Sequence, residues 1–392
     1  MYPLSIQHIL DSFSELLSLS VEDCESVGHT YAIPKFEENV LSELCQATIS
    51  TLQLQQPLLI LKSPVYVIGD IHGNIFDLIR IFNIAHPPPA SRFLFLGDYV
   101  DRGQFSIEVL ALLFSLQVAF PDHIYLLRGN HEFECVNSFY GFKDECLKQY
   151  ATGNIYDEFN EVFNYMPLAA IINQSVFCVH GGLSPQLLSM DQINELTRPI
   201  KTYNLEFVAD LVWSDPSDEN EFYVRSNRGS GVTFGKSAVH EFLVNFNLNK
   251  IIRAHQCIQS GIGRFDGHNV YTVFSCSNYA EACQNRCGII FINTENQIQA
   301  FSLPPFDHID RSKTKINYVL PPTAIQKVKP KTKTFSMKIA EISKNYKEPV
   351  QNRYKPIGKS LSLSFIQVHT STHKKILPPI NSNSTTNLNL KI

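Results

Sequence analysis

Val65-Tyr66-Val67-Ile68-Gly69-Asp70-Ile71-His72-Gly73 is the first of three stretches built alike, and their common design decides how this chain folds. The second is Phe93-Leu94-Phe95-Leu96-Gly97-Asp98-Tyr99-Val100-Asp101-Arg102-Gly103, and the third Ile124-Tyr125-Leu126-Leu127-Arg128-Gly129-Asn130-His131-Glu132. Each opens on an apolar run rich in β-branched or aromatic residues and too short for a helix, which reads as a buried strand. Residues 75 to 84 and 107 to 120 lie between them, read as amphipathic, and make the crossover helices of a βαβαβ unit. Two later runs repeat the design: Val176-Phe177-Cys178-Val179 ends in His180-Gly181-Gly182, and Ile251-Ile252 in Arg253-Ala254-His255. Further strands are expected at 270 to 275 and 288 to 293. Open α/β sheets gather ligands at the carboxyl ends of their strands, so the five polar clusters are expected to converge.

The residue types in those clusters suit one chemistry. Two divalent ions held close together need hard oxygen donors, imidazoles and a carboxylate able to bridge them. Asp70 and His72 can face one ion, Asp98 can share its oxygens between both, and Asn130, His180 and His255 complete the second. Water bound between such ions becomes a hydroxide nucleophile at neutral pH. A phosphate substrate also needs fixed positive charge, for which the planar guanidinium is well shaped; Arg102 and Arg228 are the candidates. His131, beside Asn130, is placed to protonate a leaving alkoxide, with Asp101 as the carboxylate that orients it. Taken singly, each cluster could be a turn or a satisfied core histidine. Folding alone does not require polar groups at five strand ends.

In this order and at these separations, Gly-Asp-Ile-His-Gly, Gly-Asp-Tyr-Val-Asp-Arg-Gly and Arg-Gly-Asn-His-Glu resemble the PPP family of serine/threonine phosphatases, which includes the type-1 and type-2A enzymes and calcineurin. The likeness runs from Phe36 to Leu303, with further matches at Tyr140-Gly141-Phe142, Trp213-Ser214-Asp215-Pro216, Arg253-Ala254-His255-Gln256 and Ser277-Asn278-Tyr279. The resemblance implies an α/β fold, a central β-sandwich flanked by helices with a dinuclear metal site at one edge. It implies Asp70, His72 and Asp98 on one metal and Asp98, Asn130, His180 and His255 on the other. Arg102 and Arg228 would grip the phosphate together with Asn130, His131 would be the general acid held by Asp101, and Tyr279 would line the cleft. Manganese, iron and zinc all suit that donor set. The implied activity is hydrolysis of phosphoserine and phosphothreonine by direct attack of a metal-bridging hydroxide, without a phosphoenzyme. Phosphoprotein substrates and regulatory or targeting subunits are the implied partners. Departures are local: Asn74 replaces the usual Gln, residues 275 to 281 lack the usual Ala-Pro before Asn-Tyr, and residues 218 to 226 lack a Gly-Trp-Gly.

Outward from this region the character of the chain changes. Ile6-Ile9-Leu10-Phe13-Leu16-Leu17 and Phe36-Val40-Leu41-Leu44 show helical spacing, the second with Pro34 suiting a helix start. They read as packing helices. The net charge of −4 is split, because residues 311 to 392 carry 16 of the 33 Lys and Arg but only 2 of the 37 Asp and Glu, which makes +14 there and −18 before it. That basic end has no sustained periodicity and reads as mostly disordered. Contact with nucleic acid or an anionic surface is the lesser expectation, since no aromatic platform accompanies the charges. The domains expected are thus a helical extension at 1–35, a catalytic domain at 36–305 and a basic tail at 306–392. Nine cysteines without an export-type N-terminus read as reduced thiols, and no run approaches the length of a membrane helix; cytoplasm or nucleus is the expected compartment.

Overall fold

The computed structural model describes residues 2–150, 152–281, 283–307 and 309–321. Two sheets lie face to face. One has five strands in the order Ile298–Leu303, Cys287–Ile292, Val65–Ile68, Phe93–Phe95, Ile124–Leu126. Its last three strands are parallel, with Tyr66 opposite Phe93 and Phe93 opposite Ile124. The other has six strands in the order Ile262–Phe265, Val270–Val273, Lys250–Arg253, Val176–Val179, Ala169–Ile172, Leu58–Leu61. Here Lys250–Arg253 runs parallel to both of its neighbours. This is the expected α/β sandwich.

Alternation along the strands sets its layers. Val65, Val67, Leu94, Leu96, Cys178 and Ile252 point between the sheets. Tyr66, Ile68, Phe93 and Phe95 point outward to the helices on the first sheet, while Phe177, Val179 and Ile251 point outward to those on the second. Both faces are covered, so the strands read as continuous apolar runs rather than as alternating ones.

The crossover helices are Ile75–Ala85 and Ser106–Ala119. The second is not amphipathic as expected: nearly all its residues are buried, because Leu4–Phe13 and Glu38–Leu52 cover the side turned away from the sheet. A helix wrapped on every side needs no polar stripe.

Three boundaries also need correction. Pro34 does not start a helix; it lies in the strand Ile33–Phe36, and the helix begins at Glu38. That strand pairs in parallel with Ile316–Val319, Ile33 opposite Ile316. Proline is tolerated because both members of a two-stranded ladder are edges. The limits expected at residues 35 and 305 therefore fall inside one packed unit, and residues 306–307 and 309–321 form a strap on it. Charge composition concealed this, since Phe306 is buried and Ile309, Ile316 and Val319 pack on the core. Residues 322 to 392, the rest of the basic tail, lie outside the described residues. Among the described residues, no helix is long and apolar enough to cross a membrane.

Candidate active site

The five strand ends do converge. Asp70 follows Val65–Ile68, Asp98 follows Phe93–Phe95, Asn130 and His131 follow Ile124–Leu126, His180 follows Val176–Val179, and His255 follows Lys250–Arg253. A parallel bridge between Asp70 and Phe274 ties the two sheets together here. Asp70, His72, Asp98, Asp101, Asn130, His131, His180 and His255 are all buried.

Reaching this arrangement strains the backbone. His72, Asp98, Asp101, Arg102 and His255 all adopt positive φ, between 46° and 70°. Conformations of that kind cost non-glycine residues about 1–3 kcal/mol each and persist only where surrounding contacts enforce them. Glu132 supplies three such contacts: its fully buried carboxylate accepts from the backbone N–H groups of Asp98 (2.7 Å), Tyr99 (2.8 Å) and Gly129 (2.9 Å). Gly129 must be glycine, since a Cβ would stand 2.2 Å from Asp98 Oδ1.

Asp98 is the centre. Its Oδ2 lies 3.4 Å from His180 Nε2, 3.6 Å from His72 Nε2 and 3.9 Å from His131 Nε2, while Oδ1 accepts from the His131 N–H at 3.0 Å. Asp70 Oδ2 is 3.7 Å from His72 Nε2, and its Oδ1 accepts from the His255 N–H at 2.9 Å. His180 Nε2 also meets Asn130 Oδ1 at 2.9 Å and His255 Nδ1 at 3.2 Å. Two overlapping groups thus bring their ligand atoms within 4.8 Å of one another: His72, Asp98 and His131, and Asp98, His180 and His255.

Tautomers test whether these residues fit metal. His72 Nδ1 faces Val100 O at 2.9 Å, and His180 Nδ1 faces Leu96 O at 3.1 Å. A carbonyl only accepts, so each Nδ1 carries the proton and, in the neutral ring, each Nε2 turns a lone pair toward carboxylate and amide oxygens. Acceptors so gathered require positive charge among them. A proton is one source: burial lowers the pKa of His180 and His131, but facing Asp98 prevails and holds both above the ordinary imidazole value. Turning the Asn130 amide, so that its nitrogen donates to Asp98 and His180, relieves part of the mismatch. Divalent cations would relieve all of it with the oxygen turned inward, and the donor set of carboxylates, amide and imidazoles suits them. Burial and then His131 lower His72 to about 3, and burial and then Arg228 hold His255 well below the usual range, so both stay neutral donors. Asp98 stays ionised: burial opposes this, but His180 and His131 outweigh it.

The remaining expected residues ring this centre. His131 Nδ1 donates to Asp101 Oδ2 at 2.6 Å, and Asp101 Oδ1 accepts from the Phe142 N–H at 2.8 Å. Arg102 is exposed at the mouth, its guanidinium 4.2 Å from the Tyr140 ring centroid, with no ion-pair partner among the described residues. Arg228 is also exposed, and its Nε donates to Asp215 at 2.5 Å. Tyr279 packs with its ring 5.1 Å from that of His72. Every expected site residue is therefore at the cleft. Glu132, Asp215 and buried Arg253, which also pairs with Asp215 at 2.8 Å, were not anticipated in their supporting roles. Their motifs are visible in the sequence, but ion pairing across 38 residues is not.

Comparison with known proteins agrees with this geometry. Residues 63–259 match the family model described as calcineurin-like phosphoesterase. The chain is 40% identical over 256 residues to a protein phosphatase 2A catalytic subunit of Dictyostelium discoideum, covering 65% of this chain and 81% of that protein. It is 40% identical over 254 residues to the serine/threonine-protein phosphatase 6 catalytic subunit of Caenorhabditis elegans, covering 65% and 77%. Among solved structures, a serine/threonine phosphatase of Saccharomyces cerevisiae with similarity to human phosphatase PP5 superposes with a TM-score of 0.66 at 28% identity, covering 70% of this chain and 92% of that one.

Proposed function

The chain belongs to the calcineurin-like phosphoesterases and is a serine/threonine protein phosphatase; from that premise we propose how its own residues carry the hydrolysis. Asp70, His72 and Asp98 would hold one divalent ion, and Asp98, Asn130, His180 and His255 the other. Manganese fits the set, as do iron and zinc. When bound, the ions supply Lewis acidity toward phosphoryl oxygens and a water of lowered pKa.

The chain does the rest. Arg102 and Arg228, exposed beside the buried centre, orient the phosphoryl oxygens and offset their charge, with the Asn130 amide beneath them. Pairing with Asp215 fixes the Nε edge of Arg228 and leaves its terminal amino groups for substrate. His131, held through Nδ1 by Asp101, presents Nε2 to the reacting region and gives its proton to the serine or threonine oxygen as it leaves. Tyr279 forms the cleft wall beside His72. Direct attack leaves no phosphoenzyme.

One observation carries this reading: Asp98 Oδ2 stands within 3.9 Å of three imidazole nitrogens, two of them tautomer-locked by backbone carbonyls. Phosphoproteins are its substrates, and regulatory or targeting subunits are proposed as its partners. Nine unpaired thiols suit the reducing cytoplasm or nucleus. The test is manganese-dependent turnover of a phosphoserine peptide, a small aryl phosphate and a dinucleotide polyphosphate side by side, with metal analysis. Preference for the phosphopeptide is expected; preference for the dinucleotide would overturn the substrate reading.

A further inference from the structure

Exposed Arg102 and buried Asp101 are adjacent residues at φ 69° and 70°, in a loop that must hold a phosphate-binding guanidinium in place. Such backbone needs restraint from outside the loop. On the inner side, Arg102 N–H donates to Tyr140 O at 3.2 Å, and Phe105 N–H to Gly73 O at 3.2 Å. The outer side is held by the C-terminal strap. Arg311 N–H donates to the Gln104 side-chain oxygen at 2.7 Å, and Arg311 Nη1 donates to the Gln104 carbonyl at 2.8 Å. The same guanidinium grips both oxygens of buried Glu108, at 2.9 and 2.5 Å, and reaches Gln149 at 2.7 Å. Its Cζ stands 4.9 Å from the Phe105 ring centroid. Ile309 and Asp310, just before it, line a groove shared with Arg102, Gly73 and Tyr279.

From this geometry we propose that Arg311 is a positioning residue for Arg102. By fastening the loop at Gln104 to the helix at Glu108, the strap sets how firmly the active site holds phosphate. The proposal rests on the reading of Arg102 as a phosphate ligand. It assigns the strap a part in substrate affinity although Arg311 touches neither substrate nor any metal donor. An arginine is required because one planar fork must serve a carbonyl, a carboxylate and an amide together, which an ammonium cannot match.

The test uses the full-length, metal-loaded protein carrying Arg311→Gln, Arg311→Lys or Arg102→Ala, and the double variants Arg311→Gln/Arg102→Ala and Arg311→Lys/Arg102→Ala. The readouts are the inhibition constant for inorganic phosphate, KM and kcat for a phosphoserine peptide, and bound metal. Arg311→Gln should weaken phosphate inhibition and raise KM by about 10-fold at unchanged metal content, since small misplacements of a positioning group are costly. Arg311→Lys should fall between it and wild type. In the Arg102→Ala background the same change should shrink to within about twofold, because residues acting through one another are not additive. An undiminished effect in that background would overturn the proposal and leave Arg311 a purely structural residue. If Arg311→Gln does not fold, Arg311→Lys carries the same comparison. Unchanged phosphate inhibition in Arg102→Ala alone would instead refute the reading of Arg102, and the proposal with it.

Discussion

Replacing Asp101 by asparagine changes the position of one proton at almost constant volume. Asp101 is fully buried, and its two oxygens serve different donors: Oδ2 accepts from His131 Nδ1 at 2.6 Å and Oδ1 from the Phe142 N–H at 2.8 Å. An asparagine keeps one of these. With its oxygen on Phe142, its amide nitrogen faces His131, whose Nδ1 must become an acceptor, and the imidazolium loses its counter-charge. With the amide reversed, two N–H donors face each other beside Phe142. Either way one charge-assisted hydrogen bond is lost, worth about 1.5–3 kcal/mol. At about 1.4 kcal/mol per decade of rate, the step in which His131 gives up its proton should slow by roughly 10- to 150-fold. The assay is kcat for Asp101→Asn on a phosphoserine peptide and on an aryl phosphate, whose leaving group departs without a proton, with bound metal measured on the same samples. The peptide rate should fall by that factor and the aryl rate by much less. Equal losses on both substrates, at full metal content, would refute the assignment of His131 as the acid.

Asp98→Asn should lower bound metal and turnover together, since its Oδ2 faces three imidazoles within 3.9 Å; full metal with wild-type rate would exclude a bridging role. Asp210 offers a pH test away from the metal centre: burial pushes its carboxyl up to about 6, the hydroxyl of Ser184 opposing and Glu206 adding to the rise. Below the unfolded value near 3.8 both states are protonated; as pH climbs from there through about 6 the unfolded chain ionises first, so stability falls, then levels. Asp210→Asn should therefore gain on wild type by about 1–2 kcal/mol between pH 4 and 7, a figure already reduced for partial solvent screening, as read by urea denaturation at each pH; a constant difference would contradict it. A chain ending after Pro305 loses Arg311 and leaves Glu108 buried without its partner, which should cost about 3–5 kcal/mol in chemical denaturation. One ending after Pro321 keeps the strap and should keep its stability; equal stability of the two truncations would refute the strap's contribution.

Much of this molecule is legible in its sequence. Short apolar runs such as Val65–Ile68 and Val176–Val179 reveal themselves because burial on both faces forbids polar alternation, and the polar clusters after them point to the candidate site because nothing in folding calls for such groups. Asp70, His72, Asp98, Asn130, His131, His180 and His255 could be named from residue chemistry and strand-end placement alone. Partners distant in sequence could not. That Ser106–Ala119 is covered on its outer side, that Glu132 clamps the Asp98 turn, that Asp215 joins Arg228 to Arg253, and that Arg311 returns across some 200 residues to Gln104 and Glu108 all depend on which surfaces meet. The strap shows the reason most plainly: its lysines and polar residues look like unanchored chain. Only the surface prepared by Ile33–Phe36 and by buried Glu108 supplies the ladder and the counter-charge that offset its ordering entropy. Local composition sets what a segment can do by itself, whereas burial and pairing energies belong to the surfaces that tertiary structure brings together.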